Sequence, residues 1–284
     1  LTGQEMRDLR AILRRQGFAG RQVVLSGPAG RMTSDILDVP PVSSGAPVER
    51  IARAELSRAH KLDPRAFEMA FWSLPAPAKK EPTSQIMAVS CPHAVADPLL
   101  DVVESAGLQV VAMDVASVAV ARATASDLAP SPSASAILYL GEADGWLCIL
   151  HGGVIVYERP LAGAGMAEIH DTLVRDAETD AETAARLVER AGAPAADGAD
   201  GTLADISDRL ARHFARLVDD LQPPLEYVSH QYAAKVGRLL VTGPSAAPTN
   251  LPAWLAEPLG VEVLCASPAG ASHPEPALTL AMGL

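Results

Sequence analysis

"ILYLGEADGWLCILHGGVIVYERPL", residues 137–161, is the stretch on which the fold turns. Its apolar and β-branched runs are broken at 141–145 and again at Gly152-Gly153, which reads as three short strands joined by two tight bends. Asp144-Gly145 is a turn signal, and His151-Gly152-Gly153 is a second. Cys148 lies between Leu147 and Ile149 and reads as a small buried apolar residue. A meander of this kind has no place in a plain doubly wound sheet, so the chain reads as a mixture of hairpins and strand–helix alternation.

The same alternation continues on both sides. Thr2 and Glu5 form a capping box ahead of Met6, Leu9, Ile12 and Leu13 at helical spacing, and Gly17 ends that helix. Strands are expected at 21–26 and 31–40, joined by "GPAG" (27–30) as a β-turn. A helix over 46–60 puts Val48, Ile51, Ala52 and Leu56 on one face; 65–74 alternates like a strand, 75–84 is a loop and 85–90 a buried strand. Asp97 is placed to cap a helix with Pro98 in its first turn. A strand and a helix of small residues then lead to "SDLAPSPSASA" (126–136), the clearest linker. Beyond the meander, 165–190 reads as helical. An amphipathic helix follows, with Ile206, Leu210, Phe214, Leu217 and Leu221 in one stripe, broken by Pro223-Pro224. Strands at 237–243 and 261–267 flank a further helix, and 274–284 closes the chain as a helix.

The 284 residues allow two modest domains. Aromatics make up only 4% against 49% hydrophobic, so the core is built from Ala, Val and Leu. A formal charge of −11 argues against nucleic acid or an anionic membrane surface as the main partner. Arg7, Arg10, Arg14, Arg15 and Arg21 cluster near the start and read as a solvated helix face. No apolar run reaches the roughly 18 residues of a membrane helix. Cys91, Cys148 and Cys265 are far apart and form no disulfide framework, which points to a reducing compartment. The histidines form no metal-ligand spacing; His213 and His230 read as helix-surface or core-edge residues. No Ser-His-Asp, Cys-His or paired-carboxylate arrangement supports a hydrolase, and Asp219 and Asp220 read as surface residues at a helix C-terminus.

Four segments in order resemble the PilM family of type IV pilus machines, relatives of FtsA. They are "QVVLSGPAGRMTSDILDVPP" (22–41), "ERIARAELSRAHKLDPRAFEMAFWSL" (49–74), "ADPLLDVVESAGLQVVAMDVASVAVARA" (96–123) and "LLVTGPSAAPTNLPAWLAEPLGVEVLCASP" (239–268). The resemblance implies an α/β, actin-like ATPase (ribonuclease H-like) fold in two lobes, 1–125 and 131–284, about the linker 126–136. It implies an FtsA-type inserted subdomain over about 37–113, and it begins after the family's leading β-hairpin, so the first phosphate hairpin is expected to be absent from the chain. By the same resemblance the protein is cytoplasmic and peripheral to the inner membrane, without direct insertion. It acts as a scaffold in a pilus or related secretion platform and binds a PilN-like cytoplasmic segment of an inner-membrane partner. A homo-oligomer is compatible with it. The alternatives are a nucleotide-binding PilM-type ATPase and the cytoplasmic domain of a GspL-like type II secretion protein.

In that family an aspartate stands just before the second phosphate loop; here that place is Tyr139. Gly141 and Gly145 could free backbone N–H groups for an anion. A neutral phenol cannot hold Mg²⁺, however, and Glu142 and Asp144 would bring negative charge toward a polyphosphate. Of the glycine triplet that receives adenine only Gly243 remains, followed by Pro244, which lacks an N–H, and Ser245. Gly141, Glu142, Asp144, Gly145, Gly243 and Ser245 are therefore expected to be the remnant of a nucleotide site. No catalytic residue, metal or cofactor is expected, with ATP and Mg the cofactors of the alternative. The expected partner surface is Arg50, Arg53 and Arg58 on the helix 46–60, together with the strand 21–26.

Overall fold

The computed structural model describes residues 3–27, 30–79, 84–128, 133–176, 180–192, 201–246, 251–266 and 279–284. The chain divides into two compact units, residues 1–74 and 81–119 (with Leu284), and residues 75–80 and 120–283. The division falls between Ala119 and Val120, inside a helix, rather than in the stretch 126–136 where the sequence places the linker.

The first unit opens with helix α1, Gly3–Arg15, and strand β1, Gln22–Ser26. β1 pairs in parallel with β5, Gln109–Asp114, to give a two-stranded sheet. Met6 of α1 and Val103 of helix α3, His93–Ser105, are buried in one cluster, with Val23, Leu25 and Val110 packed against it. β2, Thr33–Val39, belongs to another sheet of order β2-β4-β3, with β4 spanning Ser84–Pro92 and β3 Phe67–Ser73. Helix α2, Val48–His60, covers one face of that sheet: Ala52 and Leu56 are buried with Val39, Phe67, Ile86 and Ala88. The expected inserted segment, about 37–113, thus does not coincide with a single layer. Its own sheet starts at Thr33 and ends at Pro92, and Gln109–Asp114 pairs with β1.

The second unit carries helix α4, Ala116–Ala123, past its first residues, and the five-stranded sheet β10-β9-β6-β7-β8. Residues 134–161 run from its central strand to one edge: β6 Ala134–Leu140, β7 Gly145–His151 and β8 Val154–Leu161 form an antiparallel meander. Gly152 and Gly153 both take positive φ, +59° and +79°, the requirement of a two-residue turn of the right twist. β9, Val236–Thr242, joins β6 in parallel, and β10, Glu262–Cys265, joins β9. Helices α5 (Ala167–Asp176), α6 (Ala181–Gly192), α7 (Gly201–Tyr232), α8 (Leu251–Leu259) and α9 (Thr279–Gly283) complete the unit.

Three local expectations are corrected. Pro223-Pro224 does not break α7, which runs 32 residues straight through them. Each interior proline costs about 3 kcal/mol, but the turns beyond bury Leu225, Val228 and Tyr232, worth about 1.5–3 kcal/mol apiece, and packing keeps the helix. Asp219 and Asp220 accordingly lie mid-helix, not at a C-terminus. α3 starts a turn before Asp97, because Pro92 is already extended (φ −62°, ψ 140°) and forms the N-cap, leaving Pro98 inside the helix. The β-turn expected at "GPAG" rests on Pro28 and Ala29, which lie outside the described residues; the strands on either side of it, β1 and β2, belong to different sheets. Thr2 of the capping box, residues 80–83 of the expected loop, 129–132 of the linker and 274–278 of the closing helix also lie outside the described residues.

Candidate functional site

β6 and β9 run side by side in parallel with Tyr139 opposite Thr242, so the loops beyond their carboxyl ends emerge together. This is where parallel sheets place ligands. The two loops carry five of the six candidate residues, Gly141, Glu142 and Asp144 on one and Gly243 and Ser245 on the other, and Gly145 is the first residue of β7. Gly243, at φ +103°, lies so close to β6 that a Cβ there would meet the Leu140 carbonyl oxygen at 2.4 Å. Ser245 is buried in the 3₁₀ turn Pro244–Ala246, which the bond from Ala246 N–H to Gly243 O (3.1 Å) closes.

The first loop is held from within and by a third segment that the sequence reading passed over. Gly141 N–H donates to Asp144 O at 2.9 Å. Gly165 N–H donates to Ala143 O (3.0 Å), and Ala167 N–H to Glu142 O (2.8 Å). Gly163 N–H donates to the Asp144 carboxylate at 3.0 Å. Gly165 has no room for a side chain, since a Cβ would stand 2.2 Å from Glu142 O. Gly145 is a strand residue rather than a turn residue, and its bare Cα lets the hairpin close on Tyr139 O. An anion cradle depends on backbone N–H groups left open toward the ligand. At Gly141, Gly163, Gly165 and Ala167 they are already committed to the loop itself.

His213 anchors the third segment and is buried, not at the surface of its helix. Its Nε2 lies 3.2 Å from Ala164 O, and its Nδ1 3.4 Å from Arg216 Nη2. Burial lowers its pKa; the Ala164 carbonyl opposes this and the Arg216 guanidinium adds to it. The ring is therefore neutral, with Nε2–H donating to Ala164. The spacing of "LAGAG" (161–165), two glycines after the third strand, was the signal available for this segment. Among the described residues no three His, Cys, Asp or Glu side chains are grouped to hold a metal ion.

The structure separates the three candidate partner arginines. Arg53 turns inward: Nη1 donates to Phe67 O (2.9 Å) and Pro64 O (3.2 Å), and the guanidinium lies over the Phe67 ring, 5.3 Å from its centroid. Arg58 pairs with Glu55 one turn away on the same helix. Arg50 is exposed and, with Pro47, Val48, Glu49 and Arg53, lines an open groove of about 460 Å³. The stripe Val48, Ile51 and Leu56 belongs to the core beneath α2, and β1 lies in the other sheet.

Two solved structures are similar to this fold. The "PilM-PilN type IV pilus biogenesis complex" superposes with a TM-score of 0.79 at 20% identity, covering 99% of this chain and 84% of that one. MreB5 of Spiroplasma citri bound to ADP superposes with a TM-score of 0.50 at 15% identity, covering 67% and 63%. No curated protein matches the chain. The fold is that of the actin-like ATPases. Within that class the model of the type IV pilus assembly protein PilM matches residues 5–277, and the chain belongs to this family. Among the described residues no helix is long and apolar enough to cross a membrane.

Proposed function

We propose that this pilus assembly protein works as a non-hydrolysing cytoplasmic scaffold. It docks a cytoplasmic segment of an inner-membrane pilus protein, a partner of the PilN kind named in the structural relative. The observation that carries the reading is the way the loop after β6 is closed by its own segment: the N–H groups of Gly141, Gly165 and Ala167 go to its carbonyls and that of Gly163 to the Asp144 carboxylate, and Tyr139 stands where a metal-holding carboxylate is expected. With no cofactor to bind, the remaining function is a surface. The groove beside Arg50 at the start of α2 offers a concave, cationic seat for an extended peptide.

The test is isothermal titration of the chain with the cytoplasmic segment of its PilN-like partner, with and without Mg-ATP. Micromolar binding, about 8 kcal/mol, that is indifferent to Mg-ATP supports the scaffold. Nucleotide-dependent binding, or phosphate release on mixing, replaces it with a nucleotide switch.

A further inference from the structure

Arg7, Arg10 and Arg14 recur at three and four residues and so share one stripe of α1. With Arg15 they form one wall of a groove of about 550 Å³ whose other wall is the chain at Ala106 and Gly107, just past α3. No acidic residue lines it. Two arginines here have internal work. Arg10 Nη1 donates to Ala106 O (2.5 Å) and Arg21 Nε to Gly107 O (2.9 Å), satisfying carbonyls at the end of α3. The rest do not. Arg7 reaches only Gln4 on its own helix (2.9 Å), and Arg15 only the Ala11 carbonyl (3.4 Å). No carboxylate among the described residues pairs with Arg7, Arg14 or Arg15.

We infer that this groove is a second docking site, and that its occupant is an acidic protein segment. A row of like charges on one helix face is mutually repulsive, and on a chain of net charge −11 it runs against the overall balance. Guanidinium groups held without partners pair best with carboxylates. Arg7 and Arg14 are two helical turns apart, about 10.5 Å. An extended polyproline-type segment repeats every three residues, about 9.3 Å, so carboxylates at every third position meet both arginines and pass Arg10 between them. A flat anionic bilayer fits less well, because the site is concave and the remainder of the protein is negative. The site lies on α1 and does not involve α2, so its success or failure is independent of the partner groove proposed above.

The experiment measures fluorescence anisotropy of a labelled repeating Glu-Pro-Pro peptide of about twelve residues against the whole chain. Micromolar binding is expected at low salt, weakening toward physiological salt. Arg7→Glu with Arg14→Glu should weaken it at least about tenfold at unchanged melting temperature. The charge-matched pair Arg186→Glu with Arg190→Glu on α6 should leave it within about twofold. If the α1 pair melts early, Arg7→Gln with Arg14→Gln takes its place and should still weaken binding. The inference is overturned if the Glu peptide does not bind, if a Gln-Pro-Pro peptide binds as well, or if the α6 pair loses as much. Capture of the chain by phosphatidylserine vesicles in preference to the peptide also overturns it.

Discussion

Tyr139 and Trp146 lie face to face across the β6–β7 pair, ring centroids 5.2 Å apart and planes 4° from parallel. They are register partners, and Trp146 is buried. A stack of this kind adds about 0.5–1.5 kcal/mol beyond the area it buries. Burial, and then the nearby Glu142 charge, push the Tyr139 phenol up, so it stays protonated and neutral. The position ahead of the loop thus serves cross-strand packing.

Mg-ATP at millimolar concentration is expected to leave the melting temperature unchanged. A ligand at 100 times its dissociation constant would add about 2.7 kcal/mol, which thermal unfolding detects easily. Tyr139→Asp alone is expected to restore nothing, because the N–H groups of Gly141 and Gly165 remain engaged. Tyr139→Ala should cost about 2 kcal/mol in urea unfolding, below the roughly 3–5 kcal/mol of a fully buried aromatic, as the ring is only half-buried.

Gly243 and Gly153 separate two kinds of glycine. Both have positive φ, but a Cβ at Gly243 meets Leu140 O, while one at Gly153 meets nothing within 4 Å. Gly153→Ala should cost about 1 kcal/mol, the left-handed strain alone. Gly243→Ala should cost at least about 3 kcal/mol, strain plus displacement of β6. Equal losses for the two would mean that the close approach of β9 to β6 carries no weight.

Arg53 and Arg50 divide stability from binding. Arg53→Ala removes two charged-donor bonds and the contact with Phe67, and should lower stability by about 2–3 kcal/mol. Arg50→Glu should stay within about 0.5 kcal/mol of the parent while weakening the PilN-like segment about tenfold. Chemical denaturation and titration on the same two variants decide it; binding untouched by Arg50→Glu removes the α2 groove from the proposal.

His213 should make the second unit sensitive to acid. Its folded pKa lies below the unfolded value, so the unfolded chain takes up the proton first. The stability it contributes is complete above the unfolded histidine pKa, about 6.5, and is lost as the pH falls below that toward the folded value. His170, also lowered by burial, acts with the same sign. Stability measured between about pH 7.5 and about pH 5 should therefore fall, and His213→Gln should flatten the slope in part. A slope unchanged in the variant would assign the effect elsewhere.

The meander was legible because its information is local. Alternation, the Gly152-Gly153 turn and the apolar runs are all set by neighbours in sequence, and the three strands stand where the pattern puts them. The stripe from Ile206 to Leu221 was legible for the same reason, since a helix of that period has one face to bury. Its continuation through Pro223-Pro224 was not. A proline is a local signal against a helix, and only the burial of Leu225, Val228 and Tyr232 against the sheet outweighs it.

The residues of the candidate site were legible as types and invisible as an arrangement. The sequence by itself determined that Tyr139 cannot hold a metal and that Pro244 offers no N–H, because these are properties of single residues. Only the tertiary structure decided that Gly165 and Ala167, more than twenty residues from β6, fill the hydrogen bonds of its loop. It alone turned Arg53 inward while leaving Arg50 exposed in its groove, and it alone buried His213 under Ala164. The physical reason is common to all three. A hydrogen bond or a buried charge depends on which distant backbone arrives within about 3 Å, and no pattern within a few residues records that distance.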